Sequence, residues 1–168
     1  GPGGGLDAEP GAERPPLLNA PQRLAASGFR VGSKLLFPNR YLVNLRLSDP
    51  DQRKSFSQKW RYHLSKSEKA DLELRAAEPA ALAIFDGLYT AMSDRKRFDD
   101  SSAYNTVQSL FASPAASLRP QLFLVWRHNV PVAGAIVFTA GKTAVYLYGA
   151  TNDDALRLRA GYFLHAKI

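Results

Sequence analysis

Two tyrosines near the carboxyl-terminal end of the sequence are spaced for substrate binding. Tyr146 and Tyr148 lie in an alternating segment, residues 143–149, which predicts a strand with both phenols on one face. Such a pair either lines a groove for a sugar or a peptide, or simply packs beside the sheet. Lys142 lies in the preceding turn. Its ammonium group is either within reach of a phosphate at the groove mouth or simply solvated.

Arg157, Arg159 and Tyr162 follow in a segment with helical spacing. A helix is predicted to begin near Asp153 and to be still running at Ile168. This places both arginines in its first turns, where backbone N–H groups already favour an anion. Arg159 and Tyr162 share one side of the helix at i, i+3. The pattern is compatible with phosphate contact and with ordinary surface solvation.

A second basic segment spans residues 53–69 and is predicted to lie on an amphipathic helix that begins after Ser48. Its apolar stripe consists of Phe56, Trp60 and Leu64. Its candidate nucleic-acid contacts are Arg61, Lys66 and Lys69. A solvated helix face is the alternative, and the interspersed Asp51 and Glu68 favour that alternative.

Metal and cofactor chemistry has little support in the sequence. The chain has no cysteine, and its three histidines, His63, His128 and His165, share no ligand spacing. It contains neither a phosphate-binding P-loop nor a Gly-x-Ser-x-Gly elbow. We therefore expect no metal and no cofactor.

The composition indicates a folded, basic protein. Hydrophobic residues make up 45% of the 168 residues, enough for a core, and no apolar run is long enough to span a membrane. The net charge of +7 favours polyanionic partners or gives a solvated basic surface. Absence of cysteine suits the cytosol. The sequence shows no secretory signal.

The order of predicted elements indicates an α+β fold. Residues 1–21 are rich in Gly and Pro and are predicted to be a flexible lead-in. Gly1-Pro2 is either a cloning remnant or part of the natural sequence, and the sequence does not distinguish the two. Strands are predicted at residues 29–31, 41–47, 72–75, 122–126, 132–140 and 143–149, with helices between and after them. No stop signal follows the last helix, so we expect the chain to be incomplete.

Several motifs resemble the Fem family of acyltransferases. The basic run Arg61–Lys69 resembles that family's basic helix, and Tyr146–Thr151 resembles its tyrosine-rich strand ending in Gly-Ala-Ser or Gly-Ala-Thr. Gly161-Tyr162-Phe163-Leu164 resembles the start of the helix that follows. A further set of residues resembles the beginning of that family's second domain: Phe85, Leu88, Tyr89, Arg95, Phe98 and Tyr104. His165-Ala166 stands where the family usually has a tryptophan.

This resemblance implies a GNAT-like fold with a mixed sheet, flanking helices and an incomplete two-domain arrangement. Residues 22–77 would be the end of a first GNAT-like domain, and residues 78–168 the beginning of a second. The implied activity is transfer of an amino acid from aminoacyl-tRNA to the stem peptide of a peptidoglycan precursor. The implied partners are aminoacyl-tRNA and a UDP-muramyl peptide or a lipid-linked precursor, in the cytoplasm with possible peripheral membrane proximity.

Two other functions stay open. One is an acyl-CoA-dependent GNAT-fold N-acyltransferase, for example in exopolysaccharide synthesis. The residues Arg157–Tyr162 depart from the usual CoA-binding pattern, which counts against acetyl-CoA. The other is a non-catalytic, basic tRNA-binding fragment. No general base is assigned from the sequence.

Overall fold

The computed structural model describes residues 19–31, 41–97 and 104–168. Contacts divide the chain into two compact units, residues 1–43 and 44–168. In the first unit, helix α1 spans Ala20–Ala26, with Asn19 as its N-cap and Gly28 at a left-handed φ of +86° just beyond its end. Most of the predicted lead-in, residues 1–18, lies outside the described residues, as does the motif residue Phe98.

The predicted strands at residues 29–31 and 41–47 were wrong, because the structure has no strand at either place. Apolar alternation alone does not make a strand, since strand formation also needs a hydrogen-bonding partner. The four strands of the described residues all lie in the second unit.

Two short helices open the second unit where one was predicted. Helix α2 spans Asp49–Ser55 and helix α3 spans Gln58–Ser67. Ser48 and Ser57 cap them, each accepting a backbone N–H bond with its side-chain hydroxyl. Phe56 is extended, with ψ of 147°, and therefore ends α2. The predicted apolar stripe therefore does not lie on one helix, because Phe56 ends α2 whereas Trp60 and Leu64 lie on α3.

A four-stranded sheet forms the centre of this unit. Its strands are β1 (Leu72–Ala77), β2 (Gln121–Arg127), β3 (Val130–Ala140) and β4 (Thr143–Thr151). They lie in the order β1-β2-β3-β4, and each neighbouring pair is antiparallel. The GNAT-like α+β class is confirmed, although these four strands contain no parallel pair, which a mixed sheet would have.

The predicted domain boundary between residues 77 and 78 falls inside this compact unit. Strand β1 precedes that boundary, yet it pairs with β2 along its whole length, from Leu72 opposite Arg127 to Ala77 opposite Leu122. The assignment of residues 22–77 and 78–168 to two domains stays a prediction.

Helices cover the sheet. Helix α4 spans Leu82–Lys96 after a 3-10 turn at Pro79–Ala81, and α5 spans Val107–Phe111 after a 3-10 turn at Tyr104–Thr106. A further 3-10 turn lies at Ala116–Leu118. Helices α6 (Asp153–Leu158) and α7 (Ala160–Lys167) follow β4 directly. Within the described part of the chain, no helix is both long and apolar enough to cross a membrane.

The sheet separates two apolar clusters. One lies between the sheet and helices α4 and α5 and includes Phe85, Leu88, Val107, Leu124 and Ile136. The other lies under α6 and α7 and includes Val125, Val132, Val137, Phe163 and Leu164. Because each central strand is covered on both sides, β2 and β3 are almost continuously apolar.

A β-bulge in strand β4 overturns the prediction that Tyr146 and Tyr148 share a face. Tyr148 lies opposite Ile136, whereas Tyr146 lies opposite Val137, the next residue of β3. Leu147 is therefore the extra residue, and it reverses the alternation at this point. Tyr148 packs in the cluster on the α4 side, whereas Tyr146 lies on the α7 side, where it stacks on a residue of that helix.

Candidate functional site

A cleft of about 360 Å³ opens where the end of β4 meets helices α3, α6 and α7. Two of the predicted site residues, Arg159 and Tyr162, come together there. The residues that line the cleft are Trp60, Thr151, Ala155, Leu156, Arg159, Gly161, Tyr162 and His165. An apolar wall with a few convergent polar groups is the usual character of a binding site.

Arg159 occupies the junction between α6 and α7. Its φ of +59° places it in the left-handed region, where non-glycine residues are uncommon. Its N–H bonds to the carbonyl groups at the end of α6, while its own carbonyl accepts from Tyr162 N at 3.0 Å in α7. The single predicted helix from Asp153 was therefore wrong, because the chain breaks at Arg159. The break leaves the guanidinium exposed at the cleft, directly before the first turn of α7.

Aromatic rings join α3 to α7 along one side of the cleft. The ring of Tyr162 lies 5.3 Å from that of Trp60, edge to face, and 4.7 Å from that of His63. Trp60 in turn packs against Phe56 at 4.1 Å, the residue that ends α2. The α2–α3 break therefore contributes to the site, since it allows Phe56 to support Trp60 from the side.

Positive charge collects beside this aromatic wall. The pKa of His63 is lowered, first by burial and then by the nearby charges of Arg159, Lys59 and Lys66. Lys66, a predicted nucleic-acid contact, and Arg159 therefore both lie close enough to His63 to lower its pKa. An anionic ligand would be favoured here, because it would offset the mutual repulsion of these cations.

The other two predicted nucleic-acid contacts have different environments. Arg61 donates to the carbonyl oxygens of Lys54, at 3.3 Å, and of Phe56, and so closes the carboxyl end of α2. Lys69 is exposed just beyond α3. Arg61 therefore has a structural role in the α2–α3 junction.

On the α7 side of the sheet, Tyr146 supports a histidine that the sequence did not single out as a site residue. The Tyr146 ring stacks on His165, with centroids 4.6 Å apart and planes 24° apart. About 40% of Tyr146 is exposed, but burial of its phenol raises the pKa to about 12. His165 is exposed as a residue, but desolvation of its ring beside Tyr146 lowers its pKa. Both groups are accordingly held in their neutral forms at neutral pH.

Tyr148 has a different environment, on the opposite face. Its ring packs edge to face against Tyr104 at 5.1 Å and Tyr89 at 6.1 Å. The two latter rings are themselves stacked at 3.9 Å. The structure therefore gives Tyr148 a packing role in the α4 cluster, away from the cleft lining.

Lys142 and Arg157 lie outside the cleft lining. Lys142 is exposed in the β3–β4 turn beside Gly141, whose φ is +58°. Arg157 is exposed on α6 and forms an ion pair with Asp154, one turn earlier. The predicted helix gave Arg157 an amino-terminal position, whereas it lies in the last turn of α6. A cation there complements the helix dipole.

Trp60, Thr151 and His165 are the polar or aromatic lining residues that sequence reasoning missed. In the sequence, Trp60 belongs to a predicted apolar stripe. His165 lacks metal-ligand spacing and belongs to the pair that replaces the family's usual tryptophan, but it was not predicted as a site residue. The available signal was the i, i+3 spacing of Tyr162 and His165, which places both on one side of α7. Within the described residues, no three His, Cys, Asp or Glu side chains are grouped for a metal ion.

Helices cover both faces of the antiparallel sheet, and the cleft opens at the end of β4. The family model described as an acetyltransferase (GNAT) domain matches residues 51–168, and the chain belongs to this family. The structure is also similar to the crystal structure of FemX, with a TM-score of 0.64 and 16% sequence identity. That match covers 88% of this chain and 55% of the FemX chain, so this chain spans about half the length of FemX. The Fem-like GNAT fold predicted from the sequence is confirmed.

A further structural match is the C-terminal domain (DUF2156) of a candidate lysylphosphatidylglycerol synthetase from Agrobacterium fabrum. It has a TM-score of 0.47 and 14% identity, covering 67% of this chain and 38% of that chain. No curated protein sequence matches this chain.

Proposed function

We propose that this chain is part of an aminoacyltransferase that moves an amino acid from aminoacyl-tRNA to the stem peptide of a peptidoglycan precursor. The observation that carries the proposal is the cleft in which Arg159 lies beside the aromatic wall of Trp60 and Tyr162. The Fem-like fold and the order of the Fem-like motifs support the same reading.

The chemistry proposed for the cleft is attack by an amine of the stem peptide on the ester carbonyl of the aminoacyl-tRNA. An ester is already activated, so orientation and charge stabilisation can supply most of the acceleration. Arg159 would bind a phosphate of either substrate, since a guanidinium forms charge-assisted bonds to phosphate oxygens. Trp60 and Tyr162 offer aromatic surface for a base or a sugar.

Helix α3 would contact tRNA through Lys66, and the turn just beyond it would do so through Lys69. Arg61 would hold α3 against the end of α2. Lys66 shares the electrostatic environment of Arg159, which supports a continuous path from the helix to the cleft. Phosphate contacts release counterions, so such binding weakens as salt rises. A cytoplasmic location follows from the proposed tRNA substrate, and a lipid-linked acceptor would bring the protein close to the membrane surface.

The remaining predicted site residues receive more indirect roles in the proposal. Tyr146 would set the orientation of His165, and Tyr148 would hold β4 against α4. Lys142 and Arg157 would contact phosphates of a long substrate outside the cleft. The two-domain division at residues 77 and 78 is kept as a proposal for the whole protein.

Acyl-CoA-dependent N-acylation is the second candidate, and a domain of the GNAT type is compatible with it as well. Here Arg159 would bind a phosphate of CoA and the acceptor would be an amine of another class. A non-catalytic tRNA-binding module is the third, supported only by the net charge of +7.

Thermal unfolding with separate ligands distinguishes these candidates. A ligand present at a hundred times its dissociation constant stabilises the folded state by about 2.7 kcal/mol. A UDP-muramyl pentapeptide should raise the unfolding temperature of the wild type and raise that of Arg159→Ala much less. Stabilisation by acetyl-CoA alone would favour the second candidate. Salt-sensitive stabilisation by tRNA alone, without transfer, would favour the third.

A further inference from the structure

His165 is placed to take part in the acyl transfer itself. It lies on α7, three residues after Tyr162 and six after Arg159, and all three side chains line one cleft. The ring of Tyr146 covers His165 from β4, which fixes the plane of the imidazole. The cleft therefore holds an oriented imidazole beside an arginine.

The other described residues of the cleft lining do not supply a comparable proton acceptor. A guanidinium keeps its proton, an indole N–H only donates, and aliphatic side chains have no proton to exchange. The hydroxyl groups of Thr151 and Tyr162 also line the cleft, but a neutral hydroxyl oxygen is a far weaker base than an imidazole nitrogen. Imidazole is the side chain that changes charge near neutral pH. His165 is exposed as a residue, and the desolvation of its ring on the side that stacks on Tyr146 lowers its pKa, so a neutral ring can accept a proton. The charged or titratable groups that face it are Tyr146 from β4, and Arg159 and Tyr162 in the cleft.

We propose that His165 accepts the proton of the attacking amine during acyl transfer in the cleft. This inference rests on the proposed function for the identity of the donor. The amine nitrogen forms the new C–N bond, and the C–O bond of the ester breaks. The proton lost by the nitrogen passes to an imidazole nitrogen and then to the departing ribose oxygen, which leaves as a hydroxyl.

The test compares His165→Asn with His128→Asn in the whole protein. His128 is the matched control, because it lies exposed in the β2–β3 turn outside the cleft lining. General acid–base catalysis typically contributes about 100- to 10,000-fold. We expect His165→Asn to lower kcat at least about 100-fold with little change in KM, and His128→Asn to match the wild type. Added imidazole should restore activity to His165→Ala, which a merely structural role would not allow.

Transfer is measured with aminoacyl-tRNA and with acetyl-CoA, and the variants are compared with whichever donor the wild type uses. Failure of the tRNA donor would overturn the proposed function and leave the test of His165 standing. A kcat of His165→Asn within about threefold of the wild type would overturn the role of His165.

An NMR titration of the His165 ring gives a readout that does not depend on transfer. A neutral ring at pH 7.5, whose signals shift on addition of a UDP-muramyl pentapeptide, supports the inference. A charged ring at that pH overturns it. His165→Gln provides a second variant should His165→Asn lower the unfolding temperature.

Discussion

The phenol of Tyr146 lies over the backbone of Gly149, three residues further along β4. A Cβ atom at position 149 would overlap the Tyr146 hydroxyl and approach its Cζ to 2.6 Å. The bulge at Leu147 creates this relationship, because it returns Tyr146 to the face that Gly149 occupies. Gly149 therefore provides the space in which Tyr146 folds down and stacks on His165.

Gly149→Ala should destabilise the protein by about 1–3 kcal/mol, the usual cost of overpacking. Gly87→Ala is the control, since a Cβ there meets nothing within 4 Å and the position lies inside α4. It should stabilise the protein by about 0.5–1 kcal/mol. Urea unfolding measures both. Equal stabilities of the wild type and Gly149→Ala would show that Tyr146 is not held against Gly149.

Tyr148→Ala should cost about 3 kcal/mol, because its ring packs on Tyr89 and Tyr104 in the α4 cluster. Tyr62→Ala serves as the comparison, since 63% of Tyr62 is exposed, and it should change the free energy of unfolding by less than about 1 kcal/mol. Calorimetry or urea unfolding gives both values. If Tyr148→Ala lowered the free energy of unfolding by less than about 1 kcal/mol, the packing role would be wrong, and the groove-lining role predicted from the sequence would be favoured.

Arg95 on α4 bonds to the carboxyl end of β4, where Thr151 lines the cleft, and so helps to hold that residue in place. Its guanidinium donates to the carbonyl oxygen of Thr151 at 3.1 Å and to Asp153 at 2.8 Å, and 24% of its side chain is exposed. Arg95→Met should cost about 1–3 kcal/mol, since it leaves the partly buried carbonyl and hydroxyl oxygens of Thr151 without this donor. Arg157→Met removes an exposed pair on α6 and should cost less than about 1 kcal/mol. Similar losses in urea unfolding for the two variants would contradict this account.

The two histidines with lowered pKa predict a stability that falls as the pH falls from 7.5 to 5. Burial is the main cause for both His63 and His165. Because the folded pKa lies below the unfolded value of about 6.5, the unfolded chain binds protons more readily in this window. The free energy of unfolding therefore rises with pH until about pH 6.5 is passed.

Unfolding curves of the wild type, His63→Asn, His165→Asn and the double variant between pH 5 and 7.5 check this prediction. The carboxylates with lowered pKa, Glu68 and Glu73, change their contribution only below this range. The double variant should show the smallest dependence on pH. A wild-type stability that is constant or rises toward pH 5 would refute the prediction.

Local signals in the sequence predicted much of the fold. Ser48 marks the start of α2 because its hydroxyl satisfies a free backbone N–H group. The period-two segments after residue 120 gave β2, β3 and β4 with nearly the observed bounds. These features depend on neighbouring residues, so one sequence is enough to find them.

The site was less predictable, because it depends on pairing and on one unusual backbone conformation. The bulge at Leu147 depends on the pairing register of β4 with β3, and the local alternation of polar and apolar residues does not predict that register. The break at Arg159 requires a positive φ at a residue other than glycine, and no local signal marks it. His165 becomes part of a site only when α7 meets β4 and α3.

The measurement closest to the central claim is transfer of a labelled amino acid from aminoacyl-tRNA to a UDP-muramyl pentapeptide. The wild type should form the aminoacylated product, and Arg159→Ala should lower the rate at least about tenfold, the usual loss for a charge-assisted contact. Arg119→Ala should retain the wild-type rate, since Arg119 is exposed outside the cleft lining. Transfer from acetyl-CoA with none from aminoacyl-tRNA, or equal rates for Arg159→Ala and the wild type, would contradict the account.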